Sequence, residues 1–398
     1  MPHSAATGGF RLNRTLLVLL IYLSVFYGYL SMESYQMDFR SFYVAAEAER
    51  AGLDPYANNV LRGPQFADSD DAATTSRFLY PPTALFFIRP LALLPYNAAK
   101  LMYSGLLIAA LIAILLYLQH LYRVPDVWVL MLFLSFPVLG SIDRGQIDLL
   151  VLGCLLLAFF LADGWLAGIF LGSAIAIKLL PLVAVGWFLV HRRFRTVASS
   201  MAFSILLAAL AARIWGVGIY SAFAQNLFHP VNTALTGAVP KQSFFYRVLV
   251  APEGTYYIGH SYAAGTLNPL IFAGKLALPI GLLLFMAYCA WAYRERLRTD
   301  VSYFAYIFMA QLLNRLLWVM GLVLYFPACM ALIGAAEDKN KTGIILLAPL
   351  FLPQRIMIHN VPFRFVGCVL ALIYVLGQVL CQRREDPRGA PSSVERVA

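Results

Sequence analysis

Charged and polar side chains stand at the borders of several apolar segments of this chain. Asp38 follows the first apolar segment within a few residues, and Arg144 and Gln146 lie in a polar turn between two later segments. Lys178 stands at the end of a further apolar segment. Ionisable groups at membrane depth are costly, so residues in such places indicate a functional site by default.

A carboxylate among cations suits the transfer of a group from an anionic lipid to a hydroxyl. The carboxylate takes the hydroxyl proton as a general base, and the cations hold a phosphate and stabilise it as it leaves. We therefore predict that Asp38 is the catalytic base. The predicted donor and phosphate ligands are Lys178, Arg144, Gln146, Arg247 and Arg315, and the predicted substrate-lining residues are Tyr43, Tyr80 and Trp318.

Several of these residues also have a purely structural interpretation. Asp38 could cap the helix that follows it, which is a common role of aspartate. Lys178 could extend its ammonium group from an apolar segment toward water. Arg144 could form a local ion pair with Asp143 or Asp148, its neighbours in the same turn.

The sequence predicts neither a cofactor nor a nucleotide site. The six histidines are scattered without the spacing of zinc ligands, and no phosphate-binding glycine motif is present. The five cysteines fall in or at the ends of apolar runs, which is typical of small core residues. We expect that no metal is strictly required, and the sequence leaves a role for a divalent cation open.

The composition is that of a polytopic membrane protein. Of 398 residues, 61% are hydrophobic and 13% are charged, which favours repeated apolar spans over a soluble core. The net charge of +10 does not indicate nucleic-acid binding, because the basic residues cluster in alternate short turns. The positive-inside rule places such turns in the cytoplasm.

We predict an all-α fold of about twelve transmembrane helices, with outer-face amphipathic helices. Residues 1–382 would form one transmembrane domain, and residues 383–398 would form a disordered cytoplasmic tail. Two long polar loops, about 31–82 and 220–266, would face the exterior, with both termini in the cytoplasm. In the first loop, Phe39 to Arg50 has helical periodicity, which predicts an amphipathic helix at the interface.

An ordered series of short motifs resembles glycosyltransferase family 87. The series comprises Asp38-Phe39 with Tyr43, Gly52-x-x-Pro55-Tyr56, Tyr80-Pro81-Pro82 with Arg89-Pro90-Leu91 and Leu94-Pro95, Gly145-Gln146, Lys178-Leu179-x-Pro181, and Gln242-Ser243 with Arg247. The resemblance implies a membrane transferase of the GT-C type with a polyprenyl-phosphate sugar donor, commonly of mannose, and transfer on the outer face. It further implies that Asp38 is the base and that Lys178 and the Gly145-Gln146 turn lie at the donor site.

The chain departs from this pattern in its last third. Residues 314–321 keep Trp318 but lack the histidines that follow in the family, which leaves the identity of the acceptor open. We propose that Arg315 replaces a lost contact.

The sequence thus predicts an inverting membrane glycosyltransferase of the plasma (inner) membrane, with its active site facing the periplasm or exterior. Its partners would be a polyprenyl-phosphate sugar, a lipid or glycan acceptor and membrane lipids. The alternatives are a lipid or sugar transporter, a non-catalytic scaffold of envelope assembly, and transfer of another sugar such as arabinofuranose.

Overall fold

The structure is a computed structural model, and it describes residues 13–34, 36–57, 78–228, 299–310, 319–352, 357–358 and 361–385. This part of the chain is helical apart from two short strands, β1 (Met357–Ile358) and β2 (Val361–Pro362), which pair antiparallel. The all-α prediction is therefore confirmed for the described residues, with this one small exception.

The described residues form fifteen α-helices. They are α1 (Arg14–Glu33), α2 (Met37–Arg50), α3 (Leu85–Ile88), α4 (Tyr96–Tyr122), α5 (Asp126–Phe133), α6 (Phe136–Arg144), α7 (Asp148–Phe160), α8 (Trp165–Ile177), α9 (Leu182–Val190), α10 (Phe194–Trp215), α11 (Gly218–Phe228), α12 (Thr299–Ala310), α13 (Phe326–Ala335), α14 (Lys339–Leu347) and α15 (Phe363–Glu385). Turns of 3₁₀-helix lie at Pro82–Ala84, Arg89–Leu93, Val319–Tyr325 and Ala348–Phe351. The last helix continues to Glu385, three residues into the segment predicted as a tail.

Four stretches of the described chain are long and apolar enough to cross a membrane. They are Arg14–Glu33, Tyr96–Tyr122, Asp126–Arg144 and Phe194–Trp215. Other predicted spans are shorter helices, such as α7 and α8 with 13 residues each. A 13-residue helix rises about 20 Å, less than the roughly 30 Å of a hydrocarbon core. The predicted number of about twelve spans is therefore not confirmed, and the span predicted at about 268–292 lies outside the described residues.

Side-chain hydrogen bonds connect helix termini at both ends of the helical bundle. At one end, Asn13 donates a hydrogen bond to Asp126 (2.9 Å), and the Lys339 ammonium donates to the Arg123 carbonyl (3.0 Å). At the other end of α1, the Lys100 ammonium donates to the Met32 carbonyl at 3.0 Å. The contact between the turns of Arg123 and Lys339 agrees with the predicted placement of both turns on one side.

The helix predicted in the first polar loop is present as α2, but its burial differs from the prediction. Eight consecutive residues, 39–46, are buried, so this segment exposes no polar face. Aromatic residues of other segments cover it: the rings of Phe39 and Tyr103 are stacked at 4.8 Å, and Tyr80 meets Phe42 edge-on at 4.7 Å. The prediction of a helix lying flat at the interface is wrong for these residues, because they are enclosed by protein.

Helices α8 and α10 approach each other through glycine. A Cβ atom at Gly168 would lie 1.6 Å from Ser199 Oγ, and one at Gly172 would lie 2.9 Å from the Ser200 carbonyl oxygen. Small residues four apart allow membrane helices to bring their backbones together, and the packing energy is then gained without a hydrophobic driving force. The sequence carries this spacing as Gly168-x-x-x-Gly172.

Helix α10 is also fastened at its two ends. At its start, Asp163 Oδ1 accepts hydrogen bonds from the Thr196 amide and hydroxyl, both at 2.8 Å. At its last residue, Trp215 Nε1 donates to Glu49 of α2 at 2.7 Å. Glu49 in turn forms an ion pair with Arg89 at 3.0 Å. Helix α10 therefore connects the two ends of the helical bundle.

We expect Gly168→Ala to lower the thermal unfolding temperature of the purified protein in detergent. The added methyl group overpacks the α8–α10 contact, at a cost of about 1–3 kcal/mol, which for a large domain corresponds to roughly 2 °C or more per kcal/mol. The matched control is Gly105→Ala in α4, where a Cβ atom meets nothing within 4 Å. That variant should unfold at the same temperature or higher, because alanine favours helix over glycine. Equal unfolding temperatures for the two variants would contradict the proposed packing.

Candidate active site

The start of α2 places Asp38. Gln36 is the N-cap residue of α2 and adopts the left-handed conformation (φ 44°), which turns the chain from the end of α1 into α2. Its side-chain amide donates to Ser104 Oγ at 2.8 Å and to the Ile142 carbonyl at 2.9 Å. These bonds fix the first turn of α2 against α4 and α6. Asp38 lies in that turn, where the helix dipole favours a negative charge. The N-cap position is occupied by Gln36, so Asp38 lies inside the first turn and is not the N-cap residue.

The Gly145-Gln146 turn holds the carboxylate of Asp38. Gly145 ends α6 with φ 67°, and a Cβ atom at this position would lie 2.5 Å from Phe39 Cβ. Only glycine permits both this backbone conformation and this close approach. The next residue, Gln146, donates from Nε2 to Asp38 Oδ2 at 3.0 Å. Two segments that are more than a hundred residues apart are thereby joined at the predicted base.

Tyr80 extends the contact to a hydrogen-bond chain. Its hydroxyl donates to Gln146 Oε1 at 3.0 Å, so the chain runs from Tyr80 through Gln146 to Asp38. Burial raises the pKa of Tyr80 well above its usual value, and the negative charges of Asp148 and Asp38 add to this effect. Tyr80 is therefore a neutral hydrogen-bond donor across the physiological pH range. The amide of Gln146 is oriented by this donor on one side and by the carboxylate on the other.

A buried ion pair lies beside this chain. The Lys178 ammonium is 2.5 Å from Asp148 Oδ1, and the side chains of Lys178 and Asp148 are 20% and 4% exposed. Asp148 begins α7, and Lys178 follows the last residue of α8. Thr83 donates to the Ala176 carbonyl at 2.6 Å, which ties the segment after Tyr80 to the end of α8. The predicted phosphate ligand Lys178 thus lies on the same end of the bundle as Asp38.

Two other predicted residues, Arg144 and Tyr43, contact the start of α2 and the backbone near Leu94, respectively. The Arg144 guanidinium lies 3.7 Å from the sulfur of Met37, which is the residue before Asp38. Tyr43 is buried and its hydroxyl donates to the Leu94 carbonyl at 2.7 Å, so this group is occupied by the backbone. Burial, with a smaller contribution from the Glu47 carboxylate, raises the pKa of Tyr43 to about 12. The predicted residues Arg247, Arg315 and Trp318 lie outside the described residues.

From the sequence, Asp148 was predicted only as one possible ion-pair partner of Arg144. In the structure it is the partner of Lys178, and it is one of the few buried carboxylates of the described chain. Its position two residues after Gln146, at the start of an apolar helix, was a usable signal. Within the described ranges, no group of three histidine, cysteine, aspartate or glutamate residues could hold a metal ion.

The arrangement provides a carboxylate with a fixed orientation, a paired cation and several aromatic rings at one end of a membrane bundle. These parts suit proton abstraction from a hydroxyl and the binding of an anionic group. The site is organised by tertiary contacts between α2, the turn after α6, the segment 78–84 and the α7–α8 pair.

Two curated proteins resemble the chain, and both are named polyprenol-phosphate-mannose-dependent alpha-(1-2)-phosphatidylinositol pentamannoside mannosyltransferase. The protein of Mycolicibacterium smegmatis (strain ATCC 700084 / mc(2)155) is 28% identical over 220 residues, which are 54% of this chain and 50% of the relative. That of Mycobacterium tuberculosis (strain CDC 1551 / Oshkosh) is 27% identical over 149 residues, 35% and 34% of the two chains. The alignments thus cover half the length of the first relative and a third of the second. No solved structure matches the chain.

The resemblance predicted from the ordered motifs is confirmed by a family comparison. The match extends over residues 78–317, which include Tyr80, Gln146 and Lys178 and begin after Asp38. Because the matching region covers more than half of its length, the chain belongs to glycosyltransferase family 87.

Proposed function

We propose that this chain is a membrane glycosyltransferase that moves mannose from a polyprenyl-phosphate donor to a hydroxyl of a lipid or glycan acceptor. Family membership supports the glycosyltransferase activity, and the names of the two relatives support the donor. The relatives act on a phosphatidylinositol mannoside, and we propose an acceptor of the same broad class. The observation that carries the proposal is the Tyr80–Gln146–Asp38 hydrogen-bond chain beside the Lys178–Asp148 ion pair.

In the proposed reaction, Asp38 removes the proton from the acceptor hydroxyl. The acceptor oxygen forms a bond to the anomeric carbon while the bond from that carbon to the phosphate oxygen breaks, so the configuration inverts. The electron pair leaves with the polyprenyl phosphate, and the proton remains on Asp38. Gln146 holds one carboxylate oxygen at 3.0 Å, which fixes the direction of the base before the substrate arrives.

The leaving phosphate is stabilised by cations in this proposal. Lys178 is the part of the ion pair that reaches solvent, since its side chain is 20% exposed and that of Asp148 is 4% exposed. The carboxylate holds the ammonium in place, and the donor phosphate would approach from the open side. Arg144 lies next to the start of α2 and would add positive charge, and Arg247 and Arg315 remain predicted ligands. The proposed mechanism does not require a metal ion, and it is compatible with a divalent cation that also binds the phosphate.

We further propose a GT-C type fold in one transmembrane domain, residues 1–382, with the active site on the exterior face of the plasma membrane and the termini in the cytoplasm. The positive-inside rule supports this orientation. The turns that carry Arg123 and Lys339 meet at the end of the bundle where α4 finishes, whereas Lys100, near the start of α4, contacts the end of α1 that leads to Asp38.

The function is tested with the purified full chain, radiolabelled polyprenyl-phosphate mannose and a lipid extract from a strain that lacks the protein. Such an extract contains the unmodified native acceptor. Transfer of label to lipid or glycan supports the proposal. No transfer from the mannose donor, together with transfer from a polyprenyl-phosphate arabinofuranose donor, would correct the sugar. Movement of the labelled donor across liposomes without transfer would support a transporter instead.

Asp38→Asn should reduce the transfer rate by about a hundredfold or more, because a positioned general base contributes roughly 10²–10⁴-fold to a rate. The variant keeps the shape of the side chain and can still accept the hydrogen bond from Gln146. The measurement is the initial rate at saturating donor, with the unfolding temperature recorded in parallel.

The matched control is Asp54→Asn in the same polar loop. Asp54 accepts from the Tyr56 amide at 2.8 Å, which an asparagine also does, and we expect normal transfer. Wild-type rates in Asp38→Asn would refute the role of Asp38 as the base.

Lys178→Gln should raise the donor KM about tenfold or more, because a charged hydrogen bond to the phosphate is lost. It should also destabilise the protein, since it leaves the buried Asp148 carboxylate without its cation, at a cost of about 3–5 kcal/mol. The two effects are separated by the double variant Lys178→Gln with Asp148→Asn, which buries a neutral pair.

The double variant should recover most of the unfolding temperature while its donor KM stays high. Recovery of both quantities would show that Lys178 acts only through the stability of the fold. The single variant Asp148→Asn serves as a reference, because it removes the ion pair but keeps the Lys178 ammonium. Its unfolding temperature and donor KM are measured in the same way.

A further inference from the structure

The Tyr103 hydroxyl is a buried polar group that the proposed mechanism does not use. Tyr103 belongs to α4 and is 2% exposed, and within the described part of the chain its hydroxyl oxygen has no hydrogen-bond partner. A buried hydroxyl without a partner is rare, because it loses its bonds to water and gains nothing in return. Such a group in a functional protein calls for an explanation.

The surroundings of this hydroxyl are those of the candidate active site. Its ring stacks on Phe39, the residue after Asp38, and the negative charges of Asp38 and Asp148 act on the hydroxyl. The same two carboxylates act on the hydroxyl of Tyr80, which already donates to Gln146. Tyr80 is therefore satisfied, whereas the hydroxyl of Tyr103 has no acceptor among the residues that the structure describes.

The ring of Tyr103 is fixed by its neighbours. Phe39 stacks on it with ring centres 4.8 Å apart, and Phe42 meets it edge-on at 6.4 Å. Both phenylalanines belong to α2, the helix that carries Asp38. The following residue, Ser104, accepts the hydrogen bond from Gln36 at 2.8 Å, which fixes α4 against the start of the same helix. These contacts hold the ring that carries the hydroxyl against the helix of Asp38 before a substrate binds.

We propose that Tyr103 is a substrate-binding residue whose hydroxyl donates a hydrogen bond to an oxygen of the acceptor sugar beside Asp38. An uncharged, hydroxyl-rich ligand fits this position, because it offers oxygen acceptors without a third negative charge near two carboxylates. A phosphate at the same point would be repelled by the carboxylate of Asp38, whereas the charge of Asp148 is already paired with Lys178. This inference rests on the proposed glycosyltransferase function, since it assigns the sugar-binding group next to the proposed base.

The experiment compares Tyr103→Phe with wild type in the transfer assay, using radiolabelled polyprenyl-phosphate mannose and a titration of the lipid extract from the deletion strain. The variant removes the hydroxyl and keeps the ring. We expect the apparent KM for the extract to rise about tenfold, as for the loss of one hydrogen bond to a bound ligand. The unfolding temperature should stay the same or rise, because the removed group has no partner in the free protein.

The matched control is Tyr27→Phe. The Tyr27 hydroxyl is equally buried but donates to the Phe133 carbonyl at 2.5 Å, away from the site. This variant should unfold at a lower temperature and keep the wild-type KM for the extract. The two variants are thus expected to show opposite patterns of stability and substrate dependence.

The remaining outcomes contradict the inference in distinguishable ways. An unchanged KM in Tyr103→Phe, with or without a change in stability, overturns the substrate contact. A lower unfolding temperature with an unchanged KM would show a structural hydrogen bond instead. Failure of the wild-type protein to transfer mannose would refute the proposed function itself, and the role of Tyr103 with it.

Discussion

The close contact between the start of α2 and the turn after α6 organises the candidate site. Gln36 and Gly145 both adopt left-handed backbone conformations, and Gly145 approaches Phe39 more closely than any side chain would allow. Gln146 can reach Asp38 only because this approach exists. The stacking of Phe39 on Tyr103 brings α4 into the same unit. The positions of the base, the amide and the nearby hydroxyls therefore follow from one backbone contact.

The Asp148–Lys178 ion pair fixes the position of the lysine ammonium group more than it stabilises the fold. Transferring Asp148 and Lys178 from water is costly, and their mutual attraction repays that cost only when the geometry is good. The pair nevertheless sets where an ammonium group points, at the junction of α7 and α8. A lysine without such a partner would be free to extend toward water. The carboxylate thus converts a flexible side chain into a directed one.

Residue types at the borders of apolar segments, together with the ordered family motifs, predicted Asp38, Gln146, Tyr80 and Lys178 as members of one site, and the structure places them at the same end of the bundle. Their catalytic roles stay predictions. The enclosure of α2 was not predictable from its periodicity, because burial on all sides depends on Tyr80 and Tyr103 from distant segments. The ion pair between Asp148 and Lys178 also depends on tertiary structure. From the sequence alone, Arg144 was the more obvious partner of Asp148, because it lies only four residues away.

The attachments of α10 have a consequence for how the protein opens. Asp163 holds its start, glycines of α8 pack against its first half, and Glu49 of α2 holds its last residue. A helix held at both of its ends cannot leave the bundle by fraying from one end, so its local opening requires the partners to separate as well. Amide protons of α10 and α2 should therefore exchange with solvent as one cooperative unit, although α10 is largely exposed on the surface of the bundle and α2 is enclosed by protein.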